Sequence, residues 1–375
     1  MAFFRKSKNK AAENTPVEEK PEIQNEDTVN EEENNSSNEP LNYGLNERVA
    51  KAIDNIIPVI SNGDLNLIPS VYKAEVLSES VHDADLDDIL VLAEYTNDFM
   101  QKDEKHDKGF AATFLNVLAA GIAAKIKSAH KLYTIYSNLL RKPYPLISVG
   151  FSLIFFDENN AEEWAKSYTE AHESEVYVKA LNGEEEIKNY FMELAALGIA
   201  NIGVEPTKSK IIINHKPIYG FEFETVADSN VQFLSLRFIQ LDKSKIFHDS
   251  AKRAHGELLS AIIASKFICP GKTINGNFVA ASLQRGDVSF ISLFTDKREL
   301  AATMAENPSA KEFLEQSELR ELSFAEMEKF LMAPQISALT INISGMGFTI
   351  KRDIYENLYK AIKANPGKKV AIQVE

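Results

Sequence analysis

Four carboxylates in DADLDDILVLAE, those of Asp83, Asp85, Asp87 and Glu94, occupy the first, third, fifth and twelfth places of a calcium-binding EF-hand loop, with Leu90 at its apolar eighth place. Oxygen ligands at that spacing would wrap a hard cation. The sixth place, where the loop turns sharply and needs Gly, is Asp88, and Ile89 to Ala93 is wholly apolar where a polar ninth ligand belongs. A helix capped by Asp83 or Asp85, with further acids in its first turn where the helix dipole favours them, accounts for the same residues. The sequence PGKT, Pro270 to Thr273, imitates the end of a phosphate-binding loop. That loop needs its first Gly at the position held here by Lys266, so PGKT reads as a turn after a strand over Phe267 to Cys269.

The one cysteine, Cys269, lies between Ile268 and Pro270 and reads as a buried, inert thiol. His82, His106, His130, His172, His215, His248 and His255 show no spacing to Glu or Cys that suits catalysis or metal binding. Trp164 and Tyr168, one helical turn apart, read as packing. No Gly-x-Ser-x-Gly, dinucleotide or zincin motif is present. The residue types and spacings therefore assign no catalytic residue, no cofactor-binding residue, no metal ligand and no cofactor.

The elements that would position any chemistry follow from periodicity. Residues 1–42 are rich in Glu, Asn, Ser and Pro and read as a disordered acidic tail, whose start, MAFFRK, is a candidate contact for a membrane or partner. Residues 43–109 form a helical region, with Val49, Ile53, Ile56, Leu86, Ile89, Leu90 and Phe99 at helical spacing. A long helix is expected from Phe110 to about Leu140, including Leu132, Ile135 and Leu139 on its apolar face, and a strand from Ile147 to Phe156.

An internal repeat then emerges. FSLIFFDENNAEEWAKSY, from Phe151, matches FISLFTDKRELAATMAE, from Phe290, 139 residues later, and Ile187, Tyr190 and Leu194 match Phe324, Met327 and Leu331 at an offset of 137. The units span 110–225 and 256–375. In the second unit an acidic linker leads to a capping box, Ser323 with Glu326. A strand carrying Leu339, Ile341 and Ile343, a turn at Gly345 and Gly347, a strand over Phe348 to Ile350, a helix over Arg352 to Ala364 and a terminal strand at Val370, Ile372 and Val374 follow. Between the units, HKPIYGFEFETV and VQFLSLRFIQL alternate like strands, so 226–255 is a connector or an extension of the first sheet.

The unit at 256–375 resembles the N-terminal domain of the SseB family, the bacterial enhanced serine sensitivity proteins. The resemblance rests on the strand running into Phe294, Thr295 and Asp296, the helix with Glu299 and Leu300, the helix start at Ser323-Phe324, and the strand bearing Ile341 and Asn342. The family reads Asn-Pro where this chain has Asn342-Ile343. The unit at 110–225 looks like a diverged second copy. What the resemblance implies is an α+β fold of two tandem SseB-like domains, with no established catalytic residues.

The net charge of -14 disfavours nucleic acid, a lone Cys fits a reducing, cytoplasmic setting, and no apolar run reaches the length of a membrane span. The expected function is that of a non-enzymatic adaptor or regulator acting on an unknown protein partner. Two similar faces on one chain would raise avidity through effective concentration. The alternative is a sensor of a small molecule such as an amino acid, or an unrecognised enzyme, with its site between the repeats. The oligomeric state is left open.

Overall fold

Helices lead. The computed structural model describes residues 47–56, 74–102, 109–138, 142–244, 248–285, 288–331 and 333–364. The acidic tail over 1–42, its MAFFRK start and the strand expected from Val370 to Val374 lie outside the described residues. The first four helices, α1 (Glu47–Ile56), α2 (Ala74–Asp83), α3 (Leu86–Lys102) and α4 (Gly109–Ser128), share one apolar core. Phe114, Leu118, Ile122 and Ile126 recur every fourth residue of α4 and are fully buried. A Cβ on Gly121 would sit 2.4 Å from Val81 Cγ1, so the missing side chain is what lets α2 lie against α4.

The helix expected to reach Leu140 stops at Ser128, and Leu132 and Ile135 belong to strand β1 (Lys131–Ser137). Every residue of β1 after Lys131 is buried, because both of its faces are covered. Such a strand has no alternation to betray it, and its apolar residues mimic helical spacing. The Tyr, Thr and Ile content of KLYTIYS is what favours the extended form.

The first sheet adds β2 (Tyr144–Pro145), β3 (Ser152–Phe155), β4 (Val176–Asn182), β5 (Asn201–Val204) and β6 (Ile212–Asn214). β1 lies between β4 and β3, β3 runs parallel to β5, and β6 closes the edge antiparallel to β5. On one face Tyr133, Ile135, Leu153 and Phe155 pack under Trp164 and Tyr168 of α5 (Glu158–His172). On the other, Leu132 and Tyr136 meet the α4 core together with Tyr190 of α6 (Gly183–Ala196).

The segment VQFLSLRFIQL is a helix, α8 (Asn230–Asp242), preceded by the short α7 (Lys216–Tyr219) in HKPIYGFEFETV and followed by α9 (His248–Ala264). The strand-like reading of both stretches is thereby corrected. α8 is buried on several sides: Leu236 joins the core of the first sheet, while Val231 and Leu234 join that of the second. A helix wedged between two cores shows no single apolar stripe, and its polar Gln232, Ser235 and Gln240 are themselves buried.

The second half comprises β7 (Lys266–Ile274), β8 (Asn277–Ala280), β9 (Ser282–Arg285), β10 (Val288–Leu293), α10 (Lys297–Glu306), α11 (Pro308–Glu315), β11 (Glu318–Ser323), α12 (Glu328–Leu331), β12 (Ile336–Ile341), β13 (Phe348–Lys351) and α13 (Arg352–Ala364). β7 pairs with β11 and β8, β10 runs parallel to β12, and β13 is antiparallel to β12. A single bridge, Ile268 to Phe294, links β7 to the residue after β10. The pairing of the first half recurs: Ile268 faces Phe294 as Tyr133 faces Phe155, and Lys266 faces Ser323 as Lys131 faces Asn182. The architecture is α+β.

Three local expectations change. The acidic linker holds α11 and β11 instead. PGKT lies inside β7, and the chain turns at Asn275-Gly276, both with positive φ (51° and 79°), as a two-residue hairpin requires. At Ser323 the hydroxyl and the amide both donate to Glu326, and the turn over Ala325–Met327 is a 3-10 helix that passes into α12. Among the described residues no helix is long and apolar enough to cross a membrane.

Candidate functional site

Parallel strands end together, and at the ends of β10 and β12 the chain buries polar residues instead of apolar ones. Thr295, Asp296 and Asn342 are each at most 3 % exposed. Asn342 sits at φ 52°, a left-handed conformation that Asn tolerates better than most residues, and this turns its amide back across the strand ends. Its Oδ1 accepts the Thr295 amide at 3.0 Å, and its Nδ2 donates to Thr295 Oγ1 at 2.9 Å. Gln232 reaches in from α8 and donates to both Thr295 Oγ1 and Asp296 Oδ2. Asp296 caps α10, accepting the amides of Arg298 and Glu299 on Oδ1. Each oxygen of this carboxylate is met by donors, which is what makes its burial affordable.

The next two side chains carry the network to the first half. Arg298 donates to Asp296 Oδ2 and to the carbonyl of Ala196 at the end of α6, and its guanidinium lies 3.9 Å from the Phe223 ring centroid. Glu299 has no hydrogen-bond partner for its buried Oε2, and a Cβ on Gly345 would lie 2.6 Å from that oxygen, so a side chain there would make the carboxyl shift. Burial, then the charge of Asp296, pushes the Glu299 carboxyl up to about 7, against the pull of Arg298 and Lys142, with Glu306 adding to the rise. Near it from the first half is Tyr144, itself pushed up to about 12 by burial and by the charges of Glu299, Glu193 and Glu306. Burial raises Glu193 too, partly offset by the 2.6 Å hydrogen bond from Tyr136 and the charge of Lys179.

Glu299, Thr303 and Glu306 recur at helical spacing along one side of α10. Thr303 and Glu306 open onto a cleft of about 720 Å³. Its floor is apolar, with Leu283, Phe290, Ala310, Phe313 and Ile343, and its rim is polar, with Ser282, Gln284, Asn307, Ser344 and Lys142. Lys142, two residues before β2, ion-pairs with Glu306 across the two halves. Thr303 is only 1 % exposed, yet its Oγ1 has no partner among the described residues, and the same holds for the buried Ser292 Oγ and Arg298 Nε. Of these unpartnered atoms, Thr303 Oγ1 is the one whose residue lines the cleft.

The motifs singled out by spacing lie elsewhere. Asp87 and Asp88 are in the first turn of α3 and Glu94 two turns further on, so helical backbone replaces the wrapping loop that calcium needs, and the acid-rich helix start is what the structure contains. Asp87 meets Lys208 at the surface. Among the described residues no three His, Cys, Asp or Glu side chains come together as metal ligands. Cys269 is fully buried, and burial pushes its thiol up to about 12, which removes the thiolate needed for reactivity. His255 stacks on Phe238, His172 meets Tyr168 edge-on and His215 packs beside Phe191. Trp164 stacks on Tyr168 at 5.0 Å over the first sheet.

Spacing alone does not find the cleft, because Lys142 is more than 150 residues from Glu299 and Glu306 in sequence. Thr295, Asp296, Glu299 and Asn342 converge at one end of the sheet. The signal for the cleft itself is the i, i+4, i+7 series of polar residues in α10, on the side of an otherwise amphipathic helix that borders the core. No family model, no curated protein and no solved structure matches the chain.

Proposed function

We propose that this chain is a regulatory binding protein of the SseB type that takes a small polar molecule in the cleft between α10, the β9–β10 hairpin and Lys142. The observation that carries this reading is the unpartnered, fully buried Thr303 hydroxyl opening onto a cleft whose floor is apolar and whose rim is polar. Binding pockets combine those two features, at volumes of roughly 300–1,000 Å³. The cleft also lies where the two halves meet, so an occupant engaging Glu306 would compete with the Lys142–Glu306 pair that joins them and bias how they pack. A buried lone thiol fits a cytoplasmic protein.

Thermal melting of the full chain against a library of amines, carboxylates, polyols and nucleosides tests the reading. A ligand at 1,000 times its Kd adds about 4 kcal/mol to stability. Loss of that shift in Thr303→Val supports the cleft as the site. No shift from any compound class overturns the reading.

A second reading, an adaptor that binds another protein, is favoured by a different observation. Ile274, Val279 and Leu319 are exposed on β7, β8 and β11. Pairing places them on the face of the sheet that also carries Ile268. Recovery of a stoichiometric partner by the wild type, but not by Leu319→Glu with Val279→Glu, would support it.

A further inference from the structure

The cleft also indicates what it holds. The polar groups that α10 turns into the cleft are the unpartnered Thr303 hydroxyl and the Glu306 carboxylate, both able to accept a hydrogen bond, and the unpartnered Glu299 carboxyl lies one turn before Thr303 on the same side of the helix, behind the cleft's lining. That carboxyl lies against Gly345, the neighbour in sequence of the lining residue Ser344. The three side chains rise along the helix by roughly 6 Å and then 4.5 Å, close enough for one small group to bridge neighbouring members. A primary ammonium brings three N–H donors on one atom, which is the complement of such a series. A carboxylate would instead place its charge beside Glu306 and within a helical turn or two of Glu299.

Lys142 is the cation already present, and it pairs with Glu306 through two side chains that are each about half exposed, so it contributes little and is displaced at small cost. It does not reach the buried Glu299 oxygen, which stays without a partner. Beyond the polar series, Phe290, Phe313 and Leu283 line an apolar floor that a bare ammonium ion would leave unfilled.

We propose that the cleft binds a primary amine carrying a short apolar or aromatic body, with its ammonium between Thr303 and Glu306, about one helical turn from Glu299, and its body on Phe290 and Phe313. This rests on the ligand-binding reading above. Binding places a cation near the Glu299 carboxyl and stabilises its charged form, so at neutral pH the amine displaces a fraction of a proton from the protein.

Calorimetry on the full chain at pH 7 tests this with four matched probes: phenethylamine, its trimethylammonium analogue, 3-phenylpropionate and 2-phenylethanol. Phenethylamine is expected to bind, and the trimethylammonium analogue, which has no N–H donors, at least tenfold more weakly. Thr303→Val, which removes only an unpartnered hydroxyl and leaves the fold intact, is expected to weaken phenethylamine about tenfold. Lys142→Ala is expected to strengthen it severalfold by freeing Glu306. Repeating the titration in buffers of different ionisation heat is expected to show proton release that vanishes in Glu299→Gln. Tighter binding of 3-phenylpropionate or 2-phenylethanol than of phenethylamine overturns the amine inference and leaves a ligand-binding cleft standing. Equal binding of the two amines, or weaker amine binding in Lys142→Ala, overturns it as well. Failure of all four probes up to 10 mM overturns the inference, and the library screen then decides whether the cleft binds anything.

Discussion

Asn342 holds Thr295 at two points, accepting its amide and donating to its hydroxyl, and so ties the end of β12 to the end of β10. The first half has the same device in different chemistry. Glu205, also at positive φ (45°) just after β5, accepts the amides of Phe156 and Asp157 just after β3. Phe156 precedes Thr295 by 139 residues and Glu205 precedes Asn342 by 137, the offsets at which the sequence repeats. A left-handed residue with a buried side-chain oxygen is thus the lock on each parallel strand pair.

Asn342→Ala is expected to destabilise the fold by roughly 2–4 kcal/mol. Leaving the buried Thr295 amide without an acceptor costs about 1–3 kcal/mol, and Ala at φ 52° about 1 kcal/mol more. Asn342→Gly relieves the backbone cost alone, so urea denaturation should rank the Gly variant between Ala and wild type. If Gly and Ala were equally destabilising, backbone strain would have no part in the choice of Asn.

α8 offers a cleaner separation of the halves. Gln232 binds Thr295 and Asp296 in the second half, whereas Gln240 accepts the Ile147 amide and donates to the Pro145 carbonyl in the first. The two glutamines are eight residues apart, about 12 Å along the helix. Each change to Ala should cost about 1–3 kcal/mol, and the double variant should cost the sum to within about 0.5 kcal/mol. A large coupling energy would show that the two halves communicate through α8 itself.

These glutamines also explain what the sequence concealed. The helix over Arg352 to Ala364 was legible to the residue, because one side packs and the other is wet. α8 was not, because Gln232 and Gln240 face partners and not water, Ser235 is buried with them, and buried polar residues break the apolar stripe that marks a helix. β1 was lost for the opposite reason: burial on both faces erased its alternation. The hairpin at Asn275-Gly276 was readable from its dipeptide, but PGKT drew the turn a few residues too early. The polar network was half visible, since Thr295, Asp296, Glu299 and Asn342 stood out as a pattern, whereas Gln232, Lys142 and Gly345 join them only through the tertiary fold.

Cys269 gives a test of local against global opening. Its thiol is buried beside Phe267 and Phe278 in the core of the second half, with its acidity suppressed by burial. Labelling by an aromatic disulfide reagent at pH 8 should be limited by opening of the fold, and its rate should rise with urea in parallel with unfolding. Rapid labelling in buffer would mean that β7 and its neighbours open independently of the rest.

Glu299 should leave its mark on the pH dependence of stability. Its carboxyl is raised from an ordinary 4.5 to about 7, first by burial and then by Asp296, with Glu306 adding and Arg298 and Lys142 opposing; Tyr144 and Gly345 complete its surroundings. Between those two values the native state keeps a proton that the unfolded chain has released, so stability must fall as pH rises through that window. Glu299→Gln keeps the shape and never ionises. The stability of wild type minus that of the variant should therefore decline from pH 4.5 to 7, at a slope of at most about 1.4 kcal/mol per pH step of one, and level off above. Urea denaturation of both proteins at half-unit pH steps gives that difference directly. A difference that rises with pH would instead mean that Arg298 holds Glu299 as a carboxylate, and the cleft would then carry a permanent charge pair in place of an unpartnered acid.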